Sequence, residues 1–205
     1  MSMENHFEKR YKTGDIPWDH GMPDFNLMNM VIQRPIPKCK VLDVGCGTGD
    51  NAIWLAQQHF MVTGCDLSQT AIEKAREKAS TNDINCSFIV ADFLNNRISC
   101  SPFGFVFDRG CFHSVDAGEE RRRFAENVAL LLEAGGLWLT IAGNADEQGR
   151  EKGPPQVTAR ELVAAVEPYC EIISLSASHF GSDQSDPPKA WVCLMRKRKG
   201  TLFSV

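Results

Sequence analysis

Val41-Leu42-Asp43-Val44-Gly45-Cys46-Gly47-Thr48-Gly49-Asp50 carries the most distinctive spacing in the chain. Lys40 to Val44 reads as a short, β-branched, buried strand, and three glycines at alternate positions follow it directly. A chain that turns sharply and lets a ligand approach its main chain needs residues without a Cβ. Asp50 to Phe60 then reads as a helix with Ile53, Ala56 and Phe60 on one face. The free amides at such a helix start favour an anionic ligand group. A dinucleotide site shows G-x-G-x-x-G. Here the third glycine comes one residue early, and the compact loop suits a single nucleoside carrying a small carboxylate better than a pyrophosphate.

Phe60 to Asp66 reads as a second strand that ends in a carboxylate. In open α/β sheets an acid about 20 residues beyond the loop accepts hydrogen bonds from ribose hydroxyls, and Asp66 meets that requirement. Cys86 to Ala91 forms a third strand followed by Asp92-Phe93, where an acid beside an aromatic can accept from an adenine amino group. The fourth strand, Phe105 to Asp108, leads into Arg109-Gly110-Cys111-Phe112-His113.

Asp43-x-Gly45-x-Gly47-x-Gly49, then Asp66, then Ala91-Asp92-Phe93, then Phe107-Asp108-Arg109-Gly110 resembles the class I S-adenosylmethionine-dependent methyltransferases. The resemblance covers about residues 39–143. It implies that Gly45, Gly47 and Gly49 pass beneath the methionine part of S-adenosylmethionine, that Asp66 holds the ribose, and that Asp92 holds the adenine. The resemblance also implies that Asp43 orients the glycine loop and helps bind the cofactor's amino group, directly or through water. Cys46, Leu67, Phe93 and Asp108 beside these motifs, and Trp18 from the N-terminal segment, complete the expected cofactor set. It further implies a Rossmann-like, doubly wound α/β fold: a mostly parallel seven-stranded sheet, its last strand antiparallel, with helices on both faces.

The rest of the chain fits one such domain. Strands and helices alternate. Helices are expected at about 70–80, with Thr70 and Glu73 as a capping box, at 119–133, stopped by Gly135-Gly136, and from the box Thr158-x-x-Glu161 through Val166. Leu137 to Ala142, Glu171 to Ala177 and Ala190 to Met195 read as the remaining strands, with Arg196 to Lys199 as a solvated end. Residues 1–38 read as a cap on the methyltransferase domain of 39–205. Within the cap, Met22 to Gln33 has helical character and ends before Pro35 and Pro37.

A net charge of −4 argues against a dedicated nucleic-acid binder, and Arg121-Arg122-Arg123 reads as a solvated helix face. No apolar run is long enough to span a bilayer. No signal segment is visible at the start. Eight cysteines without C-x-x-C spacing suggest reduced thiols and no zinc. A cytoplasmic monomer or homodimer is the expectation.

The methyl acceptor is less sharply written. Trp18 and Phe25 either pack on the sheet edge or close over a cationic sulfonium. The cap and Gly153-Pro154-Pro155 resemble small-molecule methyltransferases near the thiopurine, thiol, halide and tellurite-resistance groups. His113 is the candidate general base where the acceptor holds a proton, and Cys111 reads as a pocket-lining thiol. The Asn/Asp-Pro-Pro-aromatic signature of enzymes acting on planar nitrogens is absent. The expected function is methyl transfer to a small molecule (a thiol or chalcogen, otherwise a hydroxyl or amine), releasing S-adenosylhomocysteine. The alternatives are a protein- or RNA-directed enzyme with a partner and a non-catalytic S-adenosylmethionine-binding module. The glycine spacing disfavours a nicotinamide oxidoreductase.

Overall fold

The computed structural model describes residues 3–34, 36–96, 98–99, 102–150 and 153–199. Two helices, α1 (Met3–Thr13) and α2 (Phe25–Gln33), precede an alternating core of β1 (Lys40–Val44), α3 (Asp50–Gln57), β2 (Met61–Asp66), α4 (Gln69–Thr81), β3 (Ser87–Val90) and β4 (Phe103–Arg109). A 3-10 turn at Phe112–Ser114 leads to α5 (Glu119–Leu131), β5 (Leu132–Asn144), β6 (Gln156–Val157), α6 (Ala159–Val166), β7 (Cys170–His179) and β8 (Lys189–Lys197).

The sheet runs β3-β2-β1-β4-β5-β8-β7, and the two-residue β6 pairs with the end of β5. The pairs from β3 to β5 are parallel, and β8 is antiparallel to both neighbours. The expected seven-stranded, mostly parallel sheet with an antiparallel last strand is therefore present, with β6 as an addition. Alternation along the strands divides the apolar residues between two faces. Val41, Phe105, Phe107 and Leu139 pack with Leu27, Ile53 and Ile72 on one side. Leu42, Val44, Val106 and Trp138 pack with Phe124, Val128, Leu162 and Val166 on the other.

Several local expectations shift. The first loop helix ends at Gln57 rather than Phe60. His59 adopts φ 67°, His59 N–H bonds Ala56 O, and Phe60 N–H bonds Leu55 O, a left-handed closure that returns the buried Phe60 to the core. Helix α4 starts at Gln69 and is capped by Ser68, whose hydroxyl accepts from Ala71 N–H; the Thr70 hydroxyl instead donates to Glu8. The Thr158–Glu161 capping box forms as expected. Gly135-Gly136 does not stop α5. The helix ends at Leu131, Leu132 is already extended, and the glycines occupy a bulge between the Phe103–Leu132 and Phe105–Leu137 pairs. Arg196 and Lys197 belong to β8, and Lys197 Nζ bonds Leu132 O. Arg121 is buried and sits beside Glu161, so the arginine triplet is not one solvated face. Pro35 and Cys100 lie outside the described residues.

Helix α1 had no counterpart in the sequence reading. It packs on α4. Glu8 accepts from both the Ser68 and Thr70 hydroxyls, at 2.6 and 2.8 Å, and from Thr70 N–H. The Ser68 hydroxyl in particular lowers the Glu8 carboxyl to about 2 from 4.5. A depressed carboxyl stabilises docking above its undocked value and loses that contribution as pH falls toward the folded one. Protection of α1 amides from hydrogen exchange is therefore expected to decline between pH 4.5 and about 2. Glu8→Gln is expected to have weaker α1 protection at neutral pH and to flatten this decline; an unchanged profile in the variant would contradict the assignment.

Candidate functional site

At the end of β1 the chain enters Gly45 to Gly49, where all three glycines have positive φ, at 68°, 54° and 88°. Two neighbours from the next strand hold this loop. Cys46 N–H bonds Cys65 O, and Gly47 N–H bonds the Asp66 carboxylate, both at 2.9 Å. The second Asp66 oxygen accepts from Ser68 N–H, also at 2.9 Å. Burial nevertheless pushes the Asp66 carboxyl upward, against the pull of these amides.

Tyr11, from α1, covers the loop. A Cβ on Gly47 would lie 2.7 Å from the Tyr11 hydroxyl, so only glycine allows this approach. Tyr11 is 4% exposed, and its hydroxyl accepts from the Trp18 indole N–H at 3.1 Å. Trp18 thus backs Tyr11 rather than reaching the loop by this contact, and the Arg10 guanidinium lies over the Trp18 ring at 4.3 Å. Phe25, by contrast, is 41% exposed. Tyr11 was the residue missed in the sequence. Phe7 and Tyr11, four apart in a charged segment, are the amphipathic signal that marks it. The cap is fixed further by the Thr48 hydroxyl donating to Asp19 and by Asp24 N–H donating to Asn51.

Asp43 is 1% exposed, and its Oδ2 is buried without a hydrogen-bond partner. Burial, with the charges of Asp108 and Asp66, raises its carboxyl well above the usual range. A buried, unpartnered carboxyl oxygen among other carboxyls suits a cationic ligand group. S-adenosylmethionine carries two such groups, an ammonium and a sulfonium, so the donor set fits it. Among the described residues no cluster suited to a metal ion occurs.

The other expected site residues are distributed unequally. Leu67 lies between Asp66 and the cap of α4 and is half-buried. Asp92 stands beyond β3, but its oxygens accept from Leu94 N–H, Asn95 N–H and the Asn95 side chain. The Phe93 ring turns into the core against Phe124, with centroids 4.7 Å apart. Cys46 is buried, its thiol near Gly64 between β1 and β2. Asp108 is fully buried and faces no crevice: one oxygen accepts from Phe112 N–H at 3.0 Å and the other from Trp138 at 2.9 Å. Burial raises its carboxyl to about 6. Its observed work is to bend the segment that follows β4.

That segment lies against the glycine loop, since a Cβ on Gly45 would come within 2.9 Å of Cys111 Cβ. Burial raises the Cys111 thiol well above its ordinary value. Arg109 joins three parts of the chain. Its guanidinium bonds Asp24 at 2.8 Å, Trp18 O at 3.1 Å and Gly181 O at 2.7 Å, while Asp24 also accepts from Gly181 N–H at 2.7 Å. His113 is 5% exposed and accepts from Gly143 N–H through Nδ1 at 2.7 Å. Burial first, then the Arg109 and Arg121 charges, lowers it to about 3, so the ring is neutral at neutral pH.

A surface groove of about 760 Å³ lies elsewhere, at the opening ends of the strands beside Lys40, Met61, Ser87 and Phe103, and contains none of the motif residues. No helix of the described residues is long and apolar enough to cross a membrane.

Residues 41–136 match a methyltransferase domain family. The chain is 33% identical to a probable thiol methyltransferase 2 of Arabidopsis thaliana, over 96% of this chain and 86% of that protein. It is 28% identical to a thiocyanate methyltransferase 1 of Brassica oleracea, over 76% and 68% respectively. Among solved structures it resembles one described for the conversion of a disulfide bond into a thioacetal group during echinomycin biosynthesis. That likeness has 26% identity and a TM-score of 0.83, over 95% of this chain and 93% of that one. The fold is also shared with a Synechocystis magnesium protoporphyrin IX methyltransferase with bound S-adenosylmethionine, at 15% identity and a TM-score of 0.74 over 97% and 98%. Together with the glycine loop and sheet order, these likenesses place the chain in the class I S-adenosylmethionine-dependent methyltransferases.

Proposed function

We propose that this methyltransferase acts on a small, soft sulfur acceptor that arrives as an anion, such as a thiolate or thiocyanate. One observation carries the reading: the segment facing the glycine loop offers no free base. Both Asp108 oxygens are bonded, the Cys111 thiol is held protonated, and the His113 Nδ1 lone pair is occupied by Gly143 N–H. An acceptor that needs no proton removed suits such a site. The thiol and thiocyanate methyltransferases among its relatives support the same choice.

In this reading the glycine loop and Asp43 hold the methionine part of S-adenosylmethionine, Asp66 faces the ribose, and Tyr11 with Trp18 shields the pocket from water. Asp92 and Leu67 flank the adenine end. Bound S-adenosylmethionine supplies a methyl on sulfur: the acceptor lone pair forms the new bond to carbon as the carbon–sulfur bond breaks, and that pair stays on the sulfur of S-adenosylhomocysteine. Alignment and exclusion of water are then the protein's main contributions. A macromolecular acceptor is disfavoured by the net charge of −4 and by the cap lying over the loop.

Transfer of labelled methyl from S-adenosylmethionine is expected to thiocyanate or a simple thiol, with little to phenols or amines. Transfer to phenols or amines alone would overturn the acceptor assignment. Gly47→Val places a Cβ against Tyr11 at a left-handed position. The strain of roughly 1–3 kcal/mol is expected to weaken S-adenosylhomocysteine binding about tenfold to hundredfold in calorimetry. Unchanged affinity would remove Gly47 from the site.

A further inference from the structure

Resting on that reading, we propose that His113 is held as its Nε2–H tautomer and donates this hydrogen to the bound acceptor anion, serving as a fixed donor and never as a base. The main chain sets the tautomer. Gly143 N–H can point at Nδ1 only if Nδ1 carries a lone pair, and a neutral imidazole then has its proton on Nε2. Phe180 packs edge-on against the ring, with centroids 5.8 Å apart.

The Nε2 edge lies beside Gly110, where an added Cβ would come within 3.3 Å of Nε2. Gly110 directly follows the end of β4 and precedes Cys111, the residue that packs on the glycine loop. Nε2 has no hydrogen-bond partner among the described residues. The Nε2 proton is thus left without a protein partner next to the segment that packs on the glycine loop. The charges that bear on the ring are Arg109 from β4 and Arg121 from α5, each paired with a carboxylate, Asp24 and Glu161 respectively; Phe180, Gly143 and Gly110 contribute no charge there. Arg121 is 7% exposed, and its Nε is buried without a partner. Burial and these two cations together make the surroundings hostile to an imidazolium.

The proton balance is simple. A thiol loses its proton to solvent before binding, thiocyanate carries none, and the Nε2 proton remains on His113 throughout. A hydrogen bond from a neutral donor to an anion orients its lone pair without consuming it. His113 selects acceptors already ionised at the working pH.

The test is a two-bond ¹⁵N–¹H histidine spectrum of the full chain saturated with S-adenosylhomocysteine, titrated with thiocyanate. His113 is expected to show a protonated Nε2 and an unprotonated Nδ1 from mildly acidic to mildly basic pH, with thiocyanate shifting Nε2. A protonated Nδ1, an imidazolium near neutrality, or an Nε2 signal indifferent to thiocyanate in protein that methylates thiocyanate would overturn the proposal. His113→Phe is expected to raise the KM for thiocyanate about tenfold to hundredfold with S-adenosylhomocysteine affinity unchanged. An unchanged KM would equally overturn it. Failure to methylate any sulfur anion would instead sink the acceptor reading, while the spectrum would still decide the tautomer.

Discussion

The Asp66 carboxylate pins the site together. One oxygen holds Gly47 N–H and the other holds Ser68 N–H, so a single side chain at the end of β2 ties the loop after β1 to the start of α4. The loop cannot hold its three left-handed glycines by local preference alone, and it leans on the neighbouring strand. Ser68 then caps α4 and reaches Glu8, which docks α1 and brings Tyr11 over Gly47. Loop, helix start and cap are thus one connected hydrogen-bonded unit. Burying Asp66 is unfavourable to its charge, and two main-chain donors offset part of that cost.

Arg109 performs the corresponding task at the end of β4. A partly buried guanidinium paired with the fully buried Asp24 side chain costs desolvation, and its bonds to Trp18 O and Gly181 O help compensate. The result is a cap anchored at both ends of the crevice: through Glu8 near β2, and through Asp24 near β4 and the β7–β8 connection. Such anchoring fixes the space between the glycine loop and His113.

The parts that were legible in the sequence are those written in short range. The strand, glycine triplet and following acid each occupy a few consecutive residues, and so does the Thr158–Glu161 box. The Arg109 junction was not legible, because Asp24 and Gly181 stand 85 and 72 residues away and no spacing announces the meeting. Asp108 shows the same limit. A carboxylate at a strand end can face a crevice or turn back on a distant tryptophan, and here Trp138, 30 residues on, receives it. Gly135-Gly136 reads locally as a helix stop, but its place is decided by β4, which draws Leu132 into the sheet before the glycines are reached. His113 was visible as a titratable group in the acceptor segment. That its lone pair is taken by Gly143 follows only from the end of β5 lying beside it.

The glycine loop, Asp66 and the cap are proposed to form one pocket for S-adenosylmethionine. Calorimetric titration of the full chain with S-adenosylhomocysteine, with NAD run in parallel, tests it most directly. Saturable one-to-one binding of S-adenosylhomocysteine and none of NAD is expected. Binding of NAD without binding of S-adenosylhomocysteine would contradict it.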